Sequence, residues 1–171
     1  MTISMSSASL PVFKTMLGNL SHILDKAQAH AEARKFDPAA LLQFRMAPDM
    51  LPFTRQIQIA CDAAKNGMAR ISGVEAPKFE DVETTFPELK ARIRKTLDYL
   101  GTVPAERLDG TEDKDITFPV GRETTRTMKA EAYLKHWALP NFFFHITMAY
   151  AILRHNGVEL GKSDYLVGGG A

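Results

Sequence analysis

The chain reads as an all-α protein, a four-helix bundle with a short β-hairpin or irregular crossover before the last helix. Three observations predict this. Four long segments carry apolar residues at alternating steps of three and four. Helix-starting and helix-stopping residues bracket those segments. The connections between them are too short or too polar to hold further large elements, apart from one β-branched stretch late in the chain.

The first stripe is Leu10, Phe13, Leu17, Leu20, Leu24 and Ala27. It lies on one helical face. Ser6 or Ser7 is expected to cap its start, and the polar run from Glu32 to Lys35 to end it. Asp37-Pro38 then predicts a short helix over 38–44, with proline in the first turn. Ala47-Pro48-Asp49 breaks the chain and caps again. The second stripe follows: Met50, Phe53, Ile57, Cys61, Ala64, Met68 and Ile71, stopped by Gly73. Ala60, Cys61, Ala63 and Ala64 are small enough for a neighbouring helix to come close.

Residues 74–84 are a polar connection. Thr85 and Glu88 have the spacing of a capping box, with Pro87 in the first turn. The third stripe is Phe86, Leu89, Ile93, Leu97 and Leu100. Lys90, Arg92, Arg94 and Lys95 are placed on the outer, solvated face. Ile116–Val120 and Thr124–Met128 predict a hairpin across Gly121-Arg122, with Pro119 confining its strand to an edge. A helical turn over 130–137 leads to the fourth long helix, which starts at Leu139-Pro140 and ends at Asn156-Gly157. Gly168-Gly169-Gly170 is expected to form a loose tail.

The totals bound the function. A chain of 171 residues, 45% hydrophobic and 24% charged, is expected to form a single domain over 1–171. Its 21 basic and 20 acidic residues give a formal charge of +1. Such a balance supplies no long-range field for nucleic acid or a membrane surface. No apolar run is long enough to span a bilayer, and the first residues lack the pattern of a secretory signal, so a cytoplasmic location is expected. Cys61 is the sole cysteine. It can form no internal disulfide, and its apolar stripe points to an inert buried thiol. Phosphate-binding glycine loops and serine nucleophile elbows are absent.

The chemistry-bearing residues gather at one place in the sequence, Ala138-Leu-Pro-Asn-Phe-Phe-Phe-His145. Asn141 and His145 stand one helical turn apart and share a face. Met148 and Ile152 continue that face, which turns His145 toward the core. His145 is then either a hydrogen-bonded core residue, or a ligand or base in a polar pocket with Asn141 orienting a partner. Arg45 and Asp49, near the start of the second long helix, are candidates for the same end of the bundle. Of the other histidines, His22 and His30 read as boundary or surface residues and His155 as a C-terminal helix cap. The consecutive Phe142, Phe143 and Phe144 must face different directions, so one of them should meet the hairpin or another subunit.

The closing segment, His145 to Arg154 and Gly157 with Ala-Ile-Leu-Arg before the glycine turn and Val158 after it, resembles the closing helix of the DinB/YfiT-like metalloenzyme superfamily. The order of elements agrees over most of the chain. Met46–Gln56 and Ala138–His145 are similar to a bacterial branch of that superfamily that has no established activity. The superfamily places a divalent metal between two histidines one turn apart on the closing helix and a third on the second long helix. Here His145 matches one of these, Asn141 stands at the other closing-helix position, and no histidine lies between His30 and His136. Asp49 and Gln56 are the oxygen donors in reach of the third position. Such a donor set suits zinc or nickel poorly. The resemblance therefore implies a degenerate metal site, no tightly held cofactor, and a homodimeric small-molecule-binding protein with its site at the Asn141/His145 end. Were a metal bound, His145 would be its ligand, and a metal-dependent hydrolase or thiol-dependent transferase would be implied. A third reading is a structural or partner-binding module using Phe142–Phe144 and the hairpin.

Overall fold

A computed structural model describes residues 3–121 and 123–169. The chain is mostly helical, with one two-stranded antiparallel sheet. Four long helices carry the core: α1 (Met5–Arg34), α3 (Phe53–Ser72), α4 (Phe86–Thr102) and α6 (Leu139–His155). Three short helices accompany them: α2 (Ala39–Leu42), α5 (Ala130–Tyr133) and α7 (Lys162–Leu166). Helix α3 packs on α4 and α6, and α1 packs on α4, α6 and α7. The buried faces of the long helices join in one core, with Phe13, Leu17, Ile57, Leu89 and Phe142 fully enclosed. Phe142 meets Phe13 edge-on, with ring centroids 4.8 Å apart.

Local signals account for most helix ends. The Thr85 side chain accepts from the Glu88 backbone, and Glu88 reaches back to the Thr85 N–H, closing the expected capping box. Gly73 ends α3 at φ 74°, a conformation that a side chain would strain. The start of α1 differs from expectation. Ser4 is its cap, and Ser7 closes a capping box with it as the third helical residue. Ser6 instead bonds to Asp109, with its N–H 2.7 Å from the carboxylate. Helix α3 begins at Phe53, three residues later than Met50, and Asp49 does not cap it. Pro52 holds the chain extended there, and the Thr54 hydroxyl donates to the Leu42 carbonyl at 3.1 Å.

The hairpin forms as β1 (Asp115–Val120) and β2 (Thr124–Lys129), with Ile116 opposite Met128 and Phe118 opposite Arg126. Ile116 and Phe118 point inward, and Phe118 stacks against Tyr133 and Trp137. Arg122, expected in its turn, lies outside the described residues. Helix α5 continues without a break through a π-helical turn, Leu134–Ala138, into α6. The Leu139 N–H bonds to the Leu134 carbonyl, five residues back. The cause is Pro140. It has no N–H to donate, and its ring crowds the carbonyl four residues before it, so the preceding turn widens. Gly67 of α3 faces Ala138 closely, since a Cβ built on it would lie 3.5 Å from the Ala138 Cβ.

Gly168 and Gly169 of the expected loose tail lie against Asn19 and His22 of α1, and a short helix precedes them. Helix α7 docks on α1 through Asp164, whose carboxylate takes a His22 ring nitrogen at 3.0 Å and Lys26 at 3.0 and 3.1 Å. Asn19 donates to the Tyr165 carbonyl at 2.9 Å. Gly168 lies so close to Asn19 that a Cβ there would come within 2.6 Å of its side-chain oxygen. Gly170 falls outside the described residues.

Candidate functional site

The polar centre expected at residue 145 pairs α6 with the first turn of α3. His145 is 8% exposed. Its Nδ1 stands 2.8 Å from the Oε1 of Gln56, a residue 89 positions away in the chain. Gln56 Nε2 donates to the Leu51 carbonyl at 2.9 Å. That second bond settles the first. Only the amide NH2 can donate to a carbonyl, so the oxygen of Gln56 must face the ring. An amide oxygen only accepts, so Nδ1 carries the proton. The other ring nitrogen, Nε2, is left with its lone pair, and it bonds to none of the described residues.

Burial pushes the His145 pKa down from 6.5 to about 4. Taking the imidazolium out of water is costly, and no carboxylate hydrogen-bonds to the ring to offset that cost. The residue is a neutral imidazole at physiological pH. Phe144 stands edge-on to the ring, centroids 5.2 Å apart, and is itself half exposed. Leu51 exposes 44% of its surface.

Of the five residues expected to build this site, the structure pairs His145 and Gln56. Asn141 is half-buried one turn before His145 on α6, and it bonds to neither of them. Arg45 is exposed and donates to the Met50 carbonyl at 2.9 Å, bridging its own loop. Asp49 is exposed on that loop. The phenylalanine run divides as its 100° steps require. Phe142 is fully buried against α1, Phe143 is partly buried, and Phe144 faces outward. A contact surface made of all three is therefore ruled out.

The donor set does not fit the superfamily's metal. Among the described residues, no three His, Cys, Asp or Glu side chains stand close enough to hold an ion. The Gln56 NH2 donates to Leu51 and its oxygen already accepts from His145, so Gln56 adds at most one neutral oxygen donor. His145 Nε2 remains as one free nitrogen donor. Cys61 offers nothing further, because burial pushes its thiol up to about 12.

A second polar cluster contradicts the sequence reading outright. Arg92, assigned to the solvated face of α4, is 2% exposed. The connection over 74–84 folds over it as a strap. Arg92 Nη1 donates to the Glu80 carbonyl and the Glu83 carboxylate, both at 3.0 Å. Its Nη2 meets Asp62 at 3.1 Å and Asp81 at 3.0 Å. Arg55 pairs with Asp81, Gln58 Nε2 donates to Glu83 at 2.8 Å, and Lys65 donates to the Pro77 carbonyl at 2.9 Å. The Tyr99 hydroxyl donates to the Val74 carbonyl at 2.9 Å. Burial pushes Asp81 up, but Arg55 and Arg92 outweigh it and hold its carboxyl below the usual range. The sequence carried one signal of this. Arg92 stands three residues after Leu89 and four before Thr96, which is spacing for the buried face.

Residues 5–166 match the family model described as a domain of unknown function, DUF1993. The chain belongs to that family. It is also similar to a DinB family member protein from Shewanella denitrificans whose crystal structure is solved. The two are 43% identical, and the match covers 94% of this chain and 90% of that one with a TM-score of 0.86. The fold of this DUF1993 chain is therefore DinB-like. No functionally curated protein matches it. No helix is long and apolar enough to cross a membrane among the described residues.

Proposed function

We propose that this chain is a cytosolic small-molecule-binding protein on a DinB-like four-helix bundle, with its ligand met at the His145/Gln56 end. The place is where the superfamily holds its metal. The observation that carries the reading is the state of His145. Its ring is desolvated, neutral and oriented by Gln56, yet one nitrogen has no partner among the described residues, and the half-exposed Phe144 stands edge-on to the ring. A core histidine with no further role would have both nitrogens satisfied inside the protein. Binding does not depend on a transition metal in this reading, because the donor set supplies one nitrogen where such ions want several.

Metal analysis of protein purified without chelator or affinity tag, followed by a fragment screen, tests this. The expected result is substoichiometric zinc, nickel, iron and manganese, with fragments that shift His145 resonances and lose binding in His145→Ala. Near-stoichiometric metal that disappears in His145→Ala would overturn it and put a metal-dependent hydrolase or thiol-dependent transferase first.

The half-exposed Phe144 favours a second reading, in which the same end is a contact between two copies of the chain. Sedimentation velocity distinguishes the two. A dimer that Phe144→Ser converts to monomer supports the contact, and a monomeric wild type refutes it.

A further inference from the structure

The hydrogen bonds around His145 restrict what can bind there. Gln56 is held by the Leu51 carbonyl with its oxygen toward the ring, so Nδ1 is the donor and Nε2 can only accept. The exposed side chain beside the ring is apolar, Phe144. Among the described residues, no charged side chain bonds to His145 or to Gln56.

We infer that the ligand of this site is an uncharged molecule that donates one hydrogen bond to His145 Nε2, as an alcohol or phenol does, and lays an apolar body on Phe144. The inference rests on the small-molecule reading above and narrows it to a ligand class. A carboxylate or phosphate would set its lone pairs against that of Nε2. An ammonium would give up hydration where, among the described residues, no carboxylate bonds to the ring or to Gln56. A neutral donor satisfies the lone pair at little cost in desolvation. Gln56 acts here as a positioning residue. It touches the ring and not the ligand, and it determines which nitrogen is left to accept.

The test uses the full chain with 15N-labelled histidine. The His145 ring nitrogens are observed by NMR at neutral pH, and phenol is titrated as the probe. Anisole, which lacks the donor, and benzoate and benzylammonium, which carry charge, are run beside it. The expected result is a single Nδ1-protonated tautomer whose Nε2 resonance moves with phenol. Anisole should bind about fivefold more weakly, the worth of one neutral hydrogen bond. Gln56→Leu should yield a mixture of tautomers while the far-ultraviolet circular dichroism stays unchanged, which a purely structural role would not produce. An Nε2-protonated ring, or benzoate or benzylammonium binding as well as phenol, would overturn the ligand class and leave small-molecule binding standing. If no fragment of any class moves His145, the small-molecule reading itself fails, and the ligand class with it.

Discussion

Replacing Arg92 with methionine should destabilise the protein by about 3 kcal/mol. The figure follows from which carboxylates lose their partner and how wet each one is. Arg92 is enclosed, with 1% of its side chain exposed. Breaking such a buried pair costs about 3–5 kcal/mol when the remaining charge is left without compensation. Here compensation is partial. Asp62 keeps Lys65 at 3.2 Å, Asp81 keeps Arg55, and both carboxylates are more than a third exposed. Glu83 is the exception. Its side chain is 11% exposed, and Gln58 would be its remaining donor. The cost therefore falls mainly on Glu83 and sits at the low end of the range. Part of the pair's gross value is already forfeited, because Arg92 Nε is buried without a partner. Urea unfolding followed by circular dichroism would show a lower midpoint at unchanged slope, and a melting temperature lower by about 9 °C for a chain of this size. Hydrogen exchange should rise first over residues 74–84. Arg92→Lys keeps the charge without the planar fork and should lie between wild type and Arg92→Met. A loss below about 1 kcal/mol in Arg92→Met, or exchange that rises uniformly, would refute the claim that this guanidinium holds the strap.

Three further outcomes are expected. His145 is held at about 4 when folded against 6.5 when unfolded, so the unfolded chain binds the extra proton between those values, and stability falls as the pH is lowered from 6.5 toward 4. The contribution is at most about 3 kcal/mol, and His145→Gln should flatten this part of the stability–pH curve measured by chemical denaturation. The Asp164 carboxyl is lowered to about 2 by the Gly161 N–H, Lys26 and His22, so its clasp is intact above about 4 and is lost as pH falls through 2; Asp164→Asn should release α7, read as faster hydrogen exchange over 162–168 with little change in the core. Thr85→Ala removes the cap of α4 and should cost about 1 kcal/mol in the same denaturation assay, whereas Thr85→Ser should cost far less.

What the sequence determined by itself is what short-range chemistry dictates. The four long helices, the stop at Gly73, the box formed by Thr85 and Glu88 and the inward turn of His145 all follow from residues within a few positions of one another. Caps satisfy the nearest backbone groups, and periodicity selects a face, so neither needs knowledge of the rest of the chain. The hairpin was legible for the same reason, through β-branched runs flanking Gly121. The tertiary structure decided everything that depends on a distant partner. Arg92 carries the charge of a surface residue, and only the return of 74–84 across α3 and α4 brings Asp81 and Glu83 to it. The segment ahead of the glycine tail docks only because Asp164 finds His22 and Lys26, 142 and 138 residues away in the chain. At the candidate site the sequence supplied both members, His145 and Gln56, but not their bond, nor the bond that ties Arg45 to its own loop. Burial and hydrogen-bond pairing are properties of the packed whole, and helical spacing can say which way a side chain points but not what it meets there.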